Sequence, residues 1–554
     1  MELSALQDGH ISSTQTGEDS ETIFDLDRQI SSYIFALADL RARRNRLAAI
    51  SRLPPELLAS IFVWVKSVQS YGDPRRGSPY GWAVVTIICR HWTAVAESTP
   101  ELWKTIYVTE NTPLKIGQMR LDRSGQLPLE VHVYSSDYSP LPVASIRIVL
   151  RGLHRTTWLS LGTSAHSTLD AYHVGPLSAP YLRELQLESS NPSSIPHLSF
   201  FSWCATPILR KLRMDMCTIQ PSFWKAGALP RSLAILILSI QVNDSQTLPG
   251  IARTIGDLVL LENLDLELRT GTHFHGPGPN VSVVNTLPHL RILALSMRAS
   301  AFSVFLDSFN IPLFTTIKLF VVDKGGPDAV LAPLTTSVSS ILRGTISAGF
   351  ANTSSVPDGA IISNYSLKFF MHGAPLNPRL SIRVLASETI RSLVTFCTGL
   401  VLSNVTDLII STYRRDHPWS QIFAQFHSVE TVDIGSLPNR PEMDCVEVER
   451  VIRTLQMHVT TPGGTTADLV LPRLKRITLT RLHFMSLYEM AEAGVEPRLA
   501  IADTLGKVLR VREEKGQRVE EVVFRDCVYF TEVGMDSLPD TTVVKWYESV
   551  GVTQ

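Results

Sequence analysis

One spacing of apolar residues returns along the length of this chain and limits the folds open to it: one residue, two spacers, a second, one spacer, a third. It occurs at Leu182/Leu185/Leu187, Leu209/Leu212/Met214, Leu233/Leu236/Leu238, Leu261/Leu264/Leu266, Leu290/Leu293/Leu295 and Phe314/Ile317/Leu319. Successive copies lie roughly 24 to 29 residues apart, a period that means a stacked array. The last two apolar positions of each copy alternate as a short strand does, so both point to one side, and the remaining residues can travel out and back to the next strand. Parallel strands stacked in chain order are therefore predicted. Looser copies at Val405/Leu408/Ile410, Val429/Val432/Ile434, Leu474/Ile477/Leu479 and Val519/Val522/Phe524 extend the series, and Trp158 to Leu161 fits a first strand. The run Leu505 to Lys515 predicts a helix leading into the last strand.

The period resembles that of leucine-rich repeats, and Cys217 and Cys527 stand where such repeats carry Asn or Cys. Most other copies place Ser, Arg, Tyr or Leu there, so the resemblance is to an irregular member without an asparagine ladder. It implies a curved solenoid with a parallel sheet, whose concave face carries the residues between the inward leucines. On that face, neighbouring acids and bases such as Glu184, Lys211, Arg213 and Asp215 read as surface pairs. Ile235, Ile237, Ile292 and Phe320 are apolar where a solvated face is polar, which makes them the candidate target-binding residues. Burial under a loop or a C-terminal segment accounts for them as well. Residues about 322–400 and 435–470 lack clear copies and hold Pro/Gly/Ser/Thr-rich stretches, such as Ser354 to Gly359 and Thr460 to Thr465, so long loops or distorted repeats are expected there.

A different period governs the beginning. After about twenty polar residues, read as a flexible tail, Ile23, Leu26, Ile30, Tyr33, Leu37, Leu40 and Leu47 advance by threes and fours, broken once by Arg44. This is one stripe of a helix. Thr22 and Asp25 resemble a capping box, and Asp25 and Asp27 at one end with Arg41, Arg43, Arg44 and Arg46 at the other suit the helix dipole. Two readings stand open: a coiled-coil dimer, or a single helix folded back on the next module.

Next comes Ser51-Arg-Leu-Pro-Pro-Glu-Leu-Leu-Ala-Ser-Ile-Phe62, with Pro suited to a first helical turn and Leu57, Leu58, Ile61, Phe62 and Val65 at helical spacing. That is more apolar surface than one small core needs. Beyond a Pro/Gly/Arg-rich loop, about Ser67 to Tyr80, Trp82, Val85, Ile88, Cys89, Trp92, Val95 and Ala96 predict one or two further helices packed on the first. So small a module is marginal alone, and its surplus suggests a stabilising partner.

The string Leu53, Pro54, Glu56, Leu57, Leu58, Ile61, Phe62, then Val85, Cys89, Arg90, Trp92, then Leu102 and Trp103 resembles the F-box family, and with the preceding helix resembles its large fungal group. The loop before Trp82 is longer than the tight turn usual there. The resemblance implies that Leu53 and Pro54 lead a contact with the Skp-type adaptor of a Skp/cullin/F-box (SCF) ubiquitin ligase, with Leu57, Leu58 and Ile61 filling its groove. Val85 belongs with them, as do Phe62, Cys89 and Trp92, these three at the interface or in the core beneath, Trp92 rather in the core. The region behind would hold a protein target. An F-box scaffold acting outside a ubiquitin ligase is the alternative.

Other classes find no support. Lys plus Arg number 51 against 52 Asp plus Glu, so no bulk field gathers nucleic acid. The 44% hydrophobic and 19% charged content is that of a folded chain, no stretch reaches the length of a membrane span, and the start lacks a signal peptide, which predicts a cytoplasmic or nuclear protein. Scattered cysteines and a lone His273-Phe-His275 give no metal set, and the common hydrolase, nucleotide and zinc-protease motifs are missing. No cofactor, metal or catalytic residue is expected. The fold class is α plus α/β: a tail at 1–20, a heptad helix at 21–50, the F-box at 51–108, a connecting region at 109–180, the repeats at 181–535 and a C-terminal segment at 536–554.

Overall fold

The computed structural model describes residues 16–69, 80–110, 112–134, 141–162, 177–188, 204–219, 223–225, 227–242, 247–270, 285–312, 315–323, 338, 359–363, 366–370, 380–386, 397, 400, 402, 405–411, 418–435, 445–458, 469–482, 500–527 and 538–547. His273, His275, the run Thr460 to Thr465 and residues 1–15 lie outside them. The chain divides into two compact units, Met1–Tyr134 with Leu141–Thr157, and Ser135–Pro140 with Trp158–Gln554.

The first unit opens on helix α1, Thr16–Leu47. It starts inside the segment expected to be a tail, and Thr22 therefore lies within the helix rather than capping it; Asp25 instead pairs with Arg28 one turn on, at 3.2 Å. After a 3-10 turn at Ala49–Arg52 comes α2, Pro55–Gln69, with Pro55 at its first position and Glu56 in its first turn, where a missing N–H and a negative charge both suit the helix start. The second apolar cluster folds as a 3-10 helix, Gly81–Ile87, followed by α3, Arg90–Glu97. Cys89 takes the extended N-cap position between them, and the Thr93 hydroxyl donates to the carbonyls of Thr86 at 2.7 Å and Cys89 at 3.0 Å, holding the corner. Leu58, Phe62, Trp82, Val85, Val95, Ala96, Leu102 and Trp103 form one core, with Trp82 edge-on to Trp103 at 5.1 Å.

Behind this module, strands β1, Thr105–Val108, and β2, Leu129–Val133, pair in parallel through α4, Leu114–Arg123, and α5, Val143–Gly152, packs on α4. The two helices approach so closely that a Cβ at Gly117 would collide with Ile148. Side chains stitch module and strands together. Lys66 of α2 donates to the carbonyls of Glu101 and Leu102 and to the Thr105 hydroxyl, at 3.1 to 3.2 Å, and burial pulls its pKa down to about 8. The Tyr80 hydroxyl accepts the Tyr107 backbone N–H at 2.7 Å while the Arg120 guanidinium covers its ring.

His132 on β2 stacks on Tyr107, ring centroids 4.4 Å apart, with Nδ1 3.3 Å from the Tyr134 hydroxyl. Burial lowers its pKa from 6.5 to about 4. The folded state keeps the ring neutral where the unfolded chain takes up a proton, so this position contributes no pH dependence above 6.5 and costs stability as pH falls from 6.5 toward 4. Relative to His132→Phe, which preserves the stack, the parent should lose about 2 kcal/mol between neutrality and about pH 5. Chemical denaturation of both proteins at the two pH values checks this; equal losses would contradict it.

The second unit is built on a parallel sheet. Its strands lie at Thr156–Gly162 (from Trp158 on), Glu184–Glu188, Lys211–Thr218, Ile235–Val242, Asn263–Thr270, Ile292–Met297 and Thr316–Asp323, each paired in parallel with the next. The spaced leucines fall in register: Leu159, Leu185, Leu212, Leu236, Leu264, Leu293 and Ile317 make one buried row, and Leu161, Leu187, Met214, Leu238, Leu266, Leu295 and Leu319 a second. Two rows of stacked apolar side chains buried on every strand are what hold the sheet to the layer beneath it. Strands Asp407–Ser411, Thr431–Gly435, Arg476–Thr480 and Glu521–Arg525 continue the pattern, again parallel.

Between strands the chain returns partly as helices. Thr247–Gly256 buries Leu248, Ile251, Ala252 and Ile255, the stripe expected of a helix lying on a sheet. Others lie at Ala299–Leu306, Trp419–Phe423, Cys445–Thr454 and Ala500–Glu514.

Two places differ from the sequence expectation. Within 322–400, strands Gly359–Ser363 and Ser366–Phe370 form an antiparallel hairpin; Ser366–Phe370 pairs antiparallel with Leu380–Ala386, which itself pairs in parallel with Thr316–Asp323. The row therefore runs 316, 380, 366, 359, 407, with Gly359–Ser363 parallel to Asp407–Ser411. In the C-terminal segment, Val543–Tyr547 adds one more parallel strand beyond the one expected to be last.

Candidate functional site

On α2 two stripes share helical spacing. Leu58 and Phe62 point inward, fully buried, and Val65 is half-buried. Leu57, Ile61, Trp64 and Val68 point outward, exposed by 51, 40, 65 and 50%. The 3-10 helix packed against α2 and the residue after it repeat the division: Trp82 and Val85 face the core, whereas Val84, Ile87 and Ile88 face out. A module that has closed its own core still presents seven large apolar side chains, more than scattered exposure accounts for.

This sorts the residues expected to meet an adaptor. Leu57 and Ile61 are exposed, as is Pro54, and Leu53, Cys89 and Trp92 are half-buried at the margin. Trp92 packs on Phe62 with ring centroids 5.1 Å apart. Leu58 and Val85 are corrected: with Phe62, left open between interface and core, they belong to the interior, where they shape the face from beneath but offer no surface. Ile88, expected in the core stripe, is corrected the other way. Trp64, Val68, Val84 and Ile87 were missed. For Val84 and Ile87 the signal was the unbroken run Val84-Val-Thr-Ile-Ile88, which no short helix can bury on one side.

In the second unit, the alternation places Ile235, Ile237, Ile292 and Phe320 on the sheet face opposite the leucine rows. Ile235 and Ile237 are neighbours on one strand. Asn263 separates Ile235 from Ile292, and Phe320 sits in a third row with Ser239, Glu267 and Ser296, so the four do not form one patch. Around them the face is charged and internally paired: Lys211 with Glu184 at 2.9 Å, Arg213 with Asp215 at 2.6 Å, Arg269 with Glu267 at 2.8 Å. The Ser239 hydroxyl donates to Glu267 at 2.7 Å, and burial raises the pKa of Asp265. Such an arrangement can hold a complementary surface.

Among the described residues no group of three or more His, Cys, Asp or Glu is placed to hold a metal ion, and no helix is long and apolar enough to cross a membrane. Cys204, Cys397 and Cys527 are buried, and burial pushes the Cys204 and Cys397 thiols up to about 12. The Cys527 thiol donates to the Leu479 carbonyl at 3.2 Å, a structural use.

Compared with known families, residues 50–109 match the family model described as F-box-like. The match coincides with the module whose outward face is apolar. No curated protein matches the chain.

Proposed function

We propose that this chain, an F-box protein by its residues 50–109, is a non-catalytic substrate receptor of an SCF ubiquitin ligase. The observation that carries the reading is the outward apolar face of Leu57, Ile61, Trp64, Val68, Val84, Ile87 and Ile88 on a module that already has a core. A Skp-type adaptor covers that face, and through it a cullin is joined. The parallel sheet of the second unit, which we read as an irregular leucine-rich-repeat-like solenoid, holds the protein target on the face bearing Ile235 and Ile237 with its charged surround. In this reading no step of ubiquitin transfer belongs to the chain, which works in the cytoplasm or nucleus and contributes affinity and position only.

Affinity purification of the tagged full-length chain from cells is the test. Adaptor and cullin should both be recovered. Adaptor without cullin would move the assignment to an F-box scaffold outside a ligase, and recovery of neither would overturn it.

A further inference from the structure

Helix α1 spans 32 residues, about 48 Å of helix, and its apolar stripe is left open along its length. Ile23, Leu26, Ile30, Tyr33, Leu37, Leu40 and Leu47 are each about half exposed or more. We propose that this stripe is the interface of an antiparallel two-helix coiled coil with a second copy of the chain. The inference is independent of the ligase reading.

Two observations select a second copy and an antiparallel course. The first is the stripe's own symmetry. Numbering Ile23 as heptad position a, the a residues are Ile23, Ile30, Leu37 and Arg44 and the d residues Leu26, Tyr33, Leu40 and Leu47. Reversing the helix about its middle sets Ile23 against the partner's Leu47, Leu26 against the partner's Arg44, Ile30 against the partner's Leu40 and Tyr33 against the partner's Leu37. Every layer joins an a to a d in one register. Ile34, also exposed, then flanks its own counterpart at the centre.

The second is charge. Acidic Asp25 and Asp27 lie toward one end and Arg41, Arg43, Arg44 and Arg46 toward the other. Asp25 and Asp39 are bound within the helix by Arg28 and Arg43, at 3.2 and 2.8 Å, whereas Asp27 and Arg41 have no ion-pair partner among the described residues. Both occupy e positions, which meet across an antiparallel pair. Asp27 falls beside the partner's Arg41, twice by symmetry. A parallel pair would instead stack Arg44 on Arg44 and like charge on like charge at both ends. The antiparallel course also leaves residues 50 onward of the two copies at opposite ends of the rod.

Sedimentation equilibrium of the full-length chain tests this. A reversible monomer–dimer equilibrium is expected, abolished by Leu37→Glu. Asp27→Arg alone and Arg41→Asp alone should each weaken association roughly tenfold by turning two attractions into two repulsions, and the double swap should restore it. An equimolar mixture of the two single variants should associate as the parent does. Circular dichroism and thermal unfolding at concentrations where the parent too is monomeric, expected unchanged because the helix face is then exposed in all of them, show that every variant is folded. A parent that stays monomeric at tens of micromolar overturns the proposal. So does a dimer indifferent to the swaps, or a monomer whose helix instead captures a Skp-type adaptor.

Discussion

Leu57→Asp combined with Ile61→Asp should abolish capture of the Skp-type adaptor, weakening it by roughly a hundredfold or more, while thermal stability stays close to that of the parent. Both side chains face out of α2 and support nothing behind them, so a carboxylate at either place is solvated in the free protein. In the complex it would be buried against an apolar groove without a partner, and the cost of that unpaired charge is what removes binding. Leu58→Ala and Phe62→Ala should behave in the opposite way. Each empties part of a closed core and should cost about 2–5 kcal/mol of stability, with binding lost only as the module unfolds. Titration of adaptor against the purified variants, beside their melting curves, separates the two classes. Retained capture by the double Asp variant would mean that the adaptor uses another face.

The second large effect lies far from that face. Arg512 is fully buried on helix Ala500–Glu514, and its guanidinium donates to the carbonyls of Leu455 and Val470 at 2.9 Å each and of Leu471 at 2.6 Å. One planar fork thus closes the end of helix Cys445–Thr454 and the turn that enters strand Arg476–Thr480, where Leu471 has a φ of 50°. Burial lowers the Arg512 pKa to about 10, which leaves it charged at neutral pH. Arg512→Ala strands the buried Leu455 and Val470 carbonyls, leaves that of Leu471 only the Leu474 N–H, and opens a void, and should cost about 3–5 kcal/mol in denaturant unfolding. Arg512→Met, which fills the space without donors, should recover only part of the loss. A cost under about 1 kcal/mol for the alanine variant would show that water satisfies those carbonyls.

These two sites differ in how far the sequence announces them. Most of the sheet strands were legible because they carry one apolar residue, two spacers, a second, one spacer and a third, and a period of two can bury only one set of side chains. The outward apolar face was legible as a surplus but not as a direction. Leu58, Phe62 and Val65 advance by four and three, and so do Leu57, Ile61, Trp64 and Val68, so periodicity on α2 does not say which stripe the core takes. Only the packing of Trp82, Val85 and Trp103 decides it. Arg512 lay in a basic, helix-like run where a solvated face is the ordinary reading, since its partners are backbone groups some forty residues or more away. The hairpin at 359–370 and the strand at 543–547 carry apolar residues without the leucine spacing, and nothing local distinguishes them from loop.

That hairpin has a consequence for how such a row can vary. Its two members run in opposite directions, so together they hand the next strand the same polarity they received from Leu380–Ala386. A lone antiparallel strand there would have given Asp407–Ser411 an antiparallel neighbour in place of a parallel one. An even number is neutral. The place in the row between Leu380–Ala386 and Asp407–Ser411 is thus one where strands can be gained or removed in pairs, while Asp407–Ser411 and every later strand keep their orientation.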